Sequence, residues 1–179
     1  QQRFDFQANK IPEQIQARLN VYAQVLHSER GFFMASEKVS RTEFKTFVET
    51  LHIQEFYPGI QGVGYTVLVP INKKDKHIAK IRAEGFPDYK IRPEGDRKDF
   101  YTSILYLEPF DKRNQRAFGY DMYFEPMRRA AMDKAADNDM VALTGKVKLV
   151  QETEQDVQSG FLLYLPLYRK GADLSILEK

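Results

Sequence analysis

Apolar residues recur at Ile11, Ile15, Leu19, Tyr22 and Leu26, in steps of three and four, with Gln, Arg and Asn filling the gaps. That spacing lays one apolar stripe along a helix and predicts an amphipathic helix over 9–34, ending near Gly31. Ser40 and Glu43 stand where a serine hydroxyl and a glutamate carboxylate can satisfy the free N–H groups of a helix start. A second helix is predicted to about Leu51, with Phe44, Phe47, Val48 and Leu51 as its apolar face. After the turn-rich "YPGIQG" the period changes to two: Val63, Tyr65, Val67, Val69 and Ile71 alternate with Gly64, Thr66, Leu68 and Pro70, which predicts a strand. "NKKDKHIAKIRAEG" reads as a polar helix that turns Ile78 and Ile81 inward and stops at Gly85. "YKIRP" and "YTSILYLEPF" read as two strands joined by the turn "PEGD". Pro126 suits a first helical position, so a helix is predicted to about Ala136. "MVALTGKVKLVQE" and "SGFLLYLPLYRK" predict two last strands across a polar link from Glu154 to Ser159.

Two leading helices, then strands that are mostly hairpin neighbours with helices inserted between them, indicate an α+β fold on an antiparallel sheet. The expected organisation is a helical stalk with a connecting helix over 1–55 and a sheet-bearing lobe over 56–170. "GADLSILEK" at 171–179 would begin a connector or a second lobe. A chain of 179 residues suits one domain with an appended element, and a start at Gln1 suggests a piece of something longer. Lys and Arg total 27 against 25 for Asp and Glu, too even a balance for a nucleic-acid surface. With no cysteine there is neither a disulfide frame nor a thiolate metal site. The longest apolar run, "GFLLYLPLY", falls well short of the roughly 20 residues that cross a bilayer.

Signs of chemistry are few. His27, His52 and His77 fall on three separate elements without metal-ligand spacing, so no metal or cofactor is expected. "GIQGVGY" precedes a strand, whereas a dinucleotide fingerprint follows one. Ser103 and Ser159 lack the glycine-flanked turn of a nucleophile elbow. Glu108, Asp111, Asp121 and Glu125 recur closely enough to raise acid–base catalysis as one reading, beside a ligand-sensing domain and a protein-interaction module. Asp121 stands apart because Phe118, Tyr120, Met122, Tyr123 and Phe124 surround it. A carboxylate in such company needs hydrogen-bond donors, from Arg128 or Arg129, from the start of the following helix, or from a ligand.

Three blocks, "YPGIQGVGYTVLVP", "FGYDMYFEPMRRAAMDKAADNDMVALTGKVKLVQE" and "GFLLYLPLYRKG", resemble the CHASE domain in order and spacing. "ERGFFMASEKVSRTEFKTFVETL" resembles its approach, so the likeness runs from about residue 9 to residue 171. The resemblance implies a non-catalytic extracytoplasmic sensor: a long N-terminal helix, a PAS-like antiparallel sheet with flanking helices, and a ligand in the sheet-bearing lobe. It implies the periplasmic part of a membrane-anchored bacterial histidine kinase or cyclic-dinucleotide enzyme, a homodimer through the N-terminal helix. Similar domains in plant cytokinin receptors hold an adenine by an aspartate and a leucine backbone, which align with Asp121 and Leu143. A purine of the cytokinin kind is thus one implied ligand, and another small molecule the alternative, because Tyr120, Tyr123 and Phe124 are bulky. Tyr65, Val67, Leu105, Tyr123 and Leu163 or Leu165 are the further candidates to line the site.

Overall fold

In the computed structural model the backbone is described for residues 2–95, 99–151 and 159–168. The expected connector at 171–179 and most of the polar link after Glu154 lie outside these residues. Helix α1 (Gln2–Ala35) is longer than expected at both ends and runs through Gly31. Glycine costs about 1 kcal/mol in a helix. Beyond it, however, Phe32 stacks on Phe47 at 4.8 Å and Phe33 meets Tyr65 at 4.5 Å, so packing carries the helix onward. The apolar stripe divides in two. Tyr22 and Val25 are buried against the lobe, while Ile11 and Ile15 are 57% and 55% exposed.

Helix α2 (Arg41–Thr50) begins with the reciprocal cap expected from Ser40 and Glu43, whose carboxylate accepts the Ser40 N–H at 2.7 Å. A short helix α3 (Ile53–Phe56) follows. Phe44, Val48 and Ile53 from these helices, with Val25 of α1 and Val63 of the first strand, form one core. Strand β1 (Val63–Pro70) pairs antiparallel with β2 (Phe100–Glu108) from Val63 opposite Glu108 to Pro70 opposite Phe100. A register shift between Tyr65 and Thr66 breaks the strict alternation read from the sequence. Ile71 opens a tight turn rather than ending the strand, and α4 (Lys74–Ala83) closes a second core of Val69, Ile91 and Tyr101 through Ile78.

"YKIRP" is not a strand. Tyr89 and Ile91 are buried, but only Arg92 makes a ladder contact, and Pro93, without an N–H, cannot extend it. Helix α5 (Pro126–Asn138) lies where expected, with Glu125 accepting the N–H groups of Met127 and Arg128. The two long C-terminal strands prove to be four short ones. β3 (Ala142–Leu143) pairs antiparallel with β6 (Leu163–Tyr164), and β4 (Val147–Lys148) with β5 (Ser159–Gly160). Between them the Thr144 hydroxyl accepts the Leu162 N–H at 2.9 Å, a side chain standing where a ladder carbonyl would be. The α+β class and the long N-terminal helix are as the sequence indicates.

Glu29 sits on the inner face of α1 and is 7% exposed. Burial raises its pKa from 4.5 to about 8, so the folded protein keeps it protonated where the unfolded chain ionises it. Its contribution to stability is complete below the unfolded value and is lost as pH rises through the folded one. Urea unfolding free energy should therefore fall between about pH 5 and pH 9, by an amount on the order of a few kcal/mol. Glu29→Gln should remove most of that fall; an unchanged pH profile would contradict the assignment.

Candidate ligand-binding site

Residues 119–121 form a short rung between β2 and Arg92. Ile104 N–H donates to the Tyr120 carbonyl at 3.1 Å, Gly119 N–H to the Ile104 carbonyl at 3.1 Å, and Asp121 N–H to the Arg92 carbonyl at 2.6 Å. Gly119 has φ +80, and a Cβ there would overlap the Lys90 carbonyl oxygen, so only glycine lets the segment lie this close. The rung carries Asp121 into the interior, where it is 1% exposed. Its Oδ1 accepts both the backbone N–H and the hydroxyl of Thr102, each at 2.9 Å. The same hydroxyl oxygen accepts the Tyr123 N–H at 2.8 Å. Donors to a buried carboxylate are charge-assisted and strong, which is what makes its burial tolerable.

Next to Thr102, the fully buried Ser103 meets the Tyr89 hydroxyl at 2.7 Å, and that hydroxyl meets His77 Nε2 at 2.9 Å. Burial, reinforced by nearby Lys80, lowers the His77 pKa and favours its neutral form. The donors weighed for Asp121 within the chain have other contacts. The helix start is capped by Glu125, Arg128 lies over Tyr120 at 5.0 Å, and Arg129 lies over Tyr123 at 5.7 Å.

The four carboxylates do not share one cleft. Glu108 and Asp111 line a cleft of about 850 Å³ with Arg41 and His52, Glu125 lines another of about 400 Å³, and Asp121 is in the wall of neither. Each also has a local duty: Glu108 accepts the Phe110 N–H and Asp111 the Asn114 N–H. Burial raises the pKa of Glu108, but its companion in the cleft, Asp111, is exposed.

The other candidates fall in three places. Tyr123 joins Asp121 through Thr102; its ring lies 5.2 Å from Phe100 and its hydroxyl donates to Asp133. Leu143 and Leu163 face each other across β3 and β6, Leu143 at 44% exposure and Leu163 half-buried, with Leu165 half-buried just beyond. Tyr65 packs with Phe33 and Tyr106 against the helices, and Val67 with the core of Val69 and Tyr101. The Leu105 carbonyl accepts from Arg41, whose guanidinium is set over the rings of Phe86, Tyr106 and Phe118 at 4.5, 5.0 and 5.1 Å.

A long leading helix and antiparallel strands with helices against them are the arrangement that the three sequence blocks imply. A family model described as CHASE domain matches residues 37–178. The chain belongs to the CHASE family. CHASE domains are extracytoplasmic sensor modules of signalling proteins and are not themselves catalytic. A search of curated proteins finds no significant match. Among the described residues of this CHASE domain, no helix is long and apolar enough to cross a membrane.

Sequence reasoning missed Thr102, the residue that receives Asp121. The only signal was a polar pair, Thr102 and Ser103, within the otherwise apolar "YTSILYLE". Asp121→Ala should leave the buried Thr102 donors without their acceptor and cost roughly 1–3 kcal/mol. Asp121→Asn keeps an acceptor oxygen and should cost clearly less. Chemical denaturation of both variants checks this, and equal losses would mean that Thr102 does not depend on the oxygen.

Proposed function

We propose that this CHASE domain is the periplasmic ligand-sensing part of a bacterial transmembrane histidine kinase or cyclic-dinucleotide enzyme. In this reading the carboxylate of Asp121 and the backbone of Leu143 hold a small ligand rich in N–H groups. The observation that carries it is a fully buried carboxylate, in a stretch of chain with Tyr120, Tyr123 and Phe124, beside a ladder that already offers it donors. A ligand N–H group that meets such a carboxylate is recognised sharply, because an analogue lacking the donor leaves the site's polar groups unpaired. Val67, Leu105, Tyr123 and Leu163 are the proposed walls, with Tyr65 on the side that faces α1.

The route to the stalk runs through α5. At its C-terminus Asp139, in the left-handed conformation, pairs with both terminal nitrogens of Arg30 on α1 at 2.7 and 3.1 Å. The Tyr168 hydroxyl donates to the Ala136 carbonyl beside it. A ligand shifts α1 only by binding one arrangement of the lobe better than another, and this contact is the one through which α5 would transmit the difference.

Thermal-shift measurements with adenine, isopentenyladenine, amino acids and organic acids test the ligand site. A ligand held by Asp121 should stabilise the wild type by roughly 2.7 kcal/mol at one hundred times its dissociation constant. Asp121→Asn should lose at least about tenfold in affinity, since an amide N–H replaces one acceptor. A compound that stabilises both proteins equally removes Asp121 from the site.

Exposure of Ile11 and Ile15 on the stalk supports a homodimer with α1 against its own copy. Sedimentation equilibrium should show a dimer that Ile11→Asp with Ile15→Asp dissociates. A wild-type monomer at high concentration would rule against the seam.

A further inference from the structure

Arg128 is 2% exposed, yet no carboxylate pairs with it among the described residues. Its Nη2 donates to the Lys148 carbonyl at 2.8 Å and its Nη1 approaches the Met122 sulfur at 3.5 Å, a weak acceptor. The Tyr120 ring lies under the guanidinium at 5.0 Å. Nε has no acceptor among the described residues. A buried guanidinium with five donors and no anion among the described residues is an unbalanced arrangement, since a buried charge is ordinarily paired.

Arg128 lines the cleft of about 400 Å³, together with Tyr120, Glu125, Lys146, Lys148 and Val150. Lys146 and Lys148 are exposed and have no carboxylate partner among the described residues. Glu125 brings one negative charge, but its two oxygens accept the Met127 and Arg128 N–H groups at the start of α5. Three basic residues thus line the cleft with one carboxylate that is already bonded. The remaining wall is apolar, from Val147, Leu149 and Val150 with the Tyr120 ring.

We propose that this cleft binds the carboxylate of a small organic acid, with the acid's apolar body along Tyr120 and Val150. Arg128 donates to the carboxylate, and Lys146 and Lys148 hold the charge at the rim. One carboxylate suits the site better than a phosphate dianion, because Glu125 shares the cleft. The proposal does not depend on the Asp121 site.

Isothermal titration with benzoate, hexanoate and inorganic phosphate, at ionic strength matched with chloride, tests it. Benzoate or hexanoate should bind saturably and more tightly than phosphate. Arg128→Gln should weaken that binding by about tenfold or more, and Lys146→Gln with Lys148→Gln by severalfold, as lost charge-assisted contacts do. The removal of a remote exposed lysine, Lys76→Gln on α4, should leave it unchanged. If Arg128→Gln does not fold, the double lysine variant decides, since both positions are exposed. Absence of saturable carboxylate binding, phosphate binding as tight as the carboxylates, or equal weakening by Lys76→Gln would each overturn the proposal.

Discussion

The placement of the Asp121 carboxylate governs the lobe. A carboxylate that is 1% exposed must be met by donors, and Thr102 meets it with two groups of one residue. That requirement clamps residues 119–121 to β2, and Gly119 makes the approach sterically possible. It also sets where α5 begins, because Tyr123 N–H joins the same threonine hydroxyl two residues before Glu125 caps the helix. Strand, rung and helix are thereby one unit. The carboxylate and the segment leading into α5 share the Thr102 hydroxyl, and Asp139 at the far end of that helix pairs with Arg30 of α1.

Charges close together in the chain take separate tasks in space. Asp121, Glu125 and Arg128 span less than two helical turns of sequence, yet each serves a different surface. Asp121 bonds to β2, Glu125 to the helix start, and Arg128 reaches the Lys148 carbonyl on β4. An enzyme built from the acidic run would need its carboxylates to converge, and their division between two clefts and the interior removes the geometric basis for it. The same division leaves Arg128 as a cation whose anion the described residues do not supply.

Several features were legible because they depend on neighbours in the chain. The cap at Ser40, the proline that opens α5 at Pro126, the stripe on α1 and the period of two along β1 are local patterns, and their elements stand where those patterns put them. The errors also share a cause. "YKIRP" has the alternation of a strand, but whether it joins a ladder depends on which backbone groups approach it, and only Arg92 is approached. The long C-terminal strands were read as continuous because nothing local reveals that the Thr144 hydroxyl takes a ladder position. Helix α1 outran Gly31 because Phe32 and Phe33 found Phe47 and Tyr65, contacts that lie far along the chain.

By itself the sequence determined the fold class, the family and the singular position of Asp121, since periodicity, caps and motif order are properties of nearby residues. Only the tertiary structure decided that Thr102 is one of its partners, that Arg128 is buried with no carboxylate partner among the described residues, and that Ile11 and Ile15 lie bare while Tyr22 and Val25 are covered. Burial and pairing are relations between segments distant in the chain. Their energies depend on which groups water no longer reaches, and that is fixed only when the chain has closed on itself.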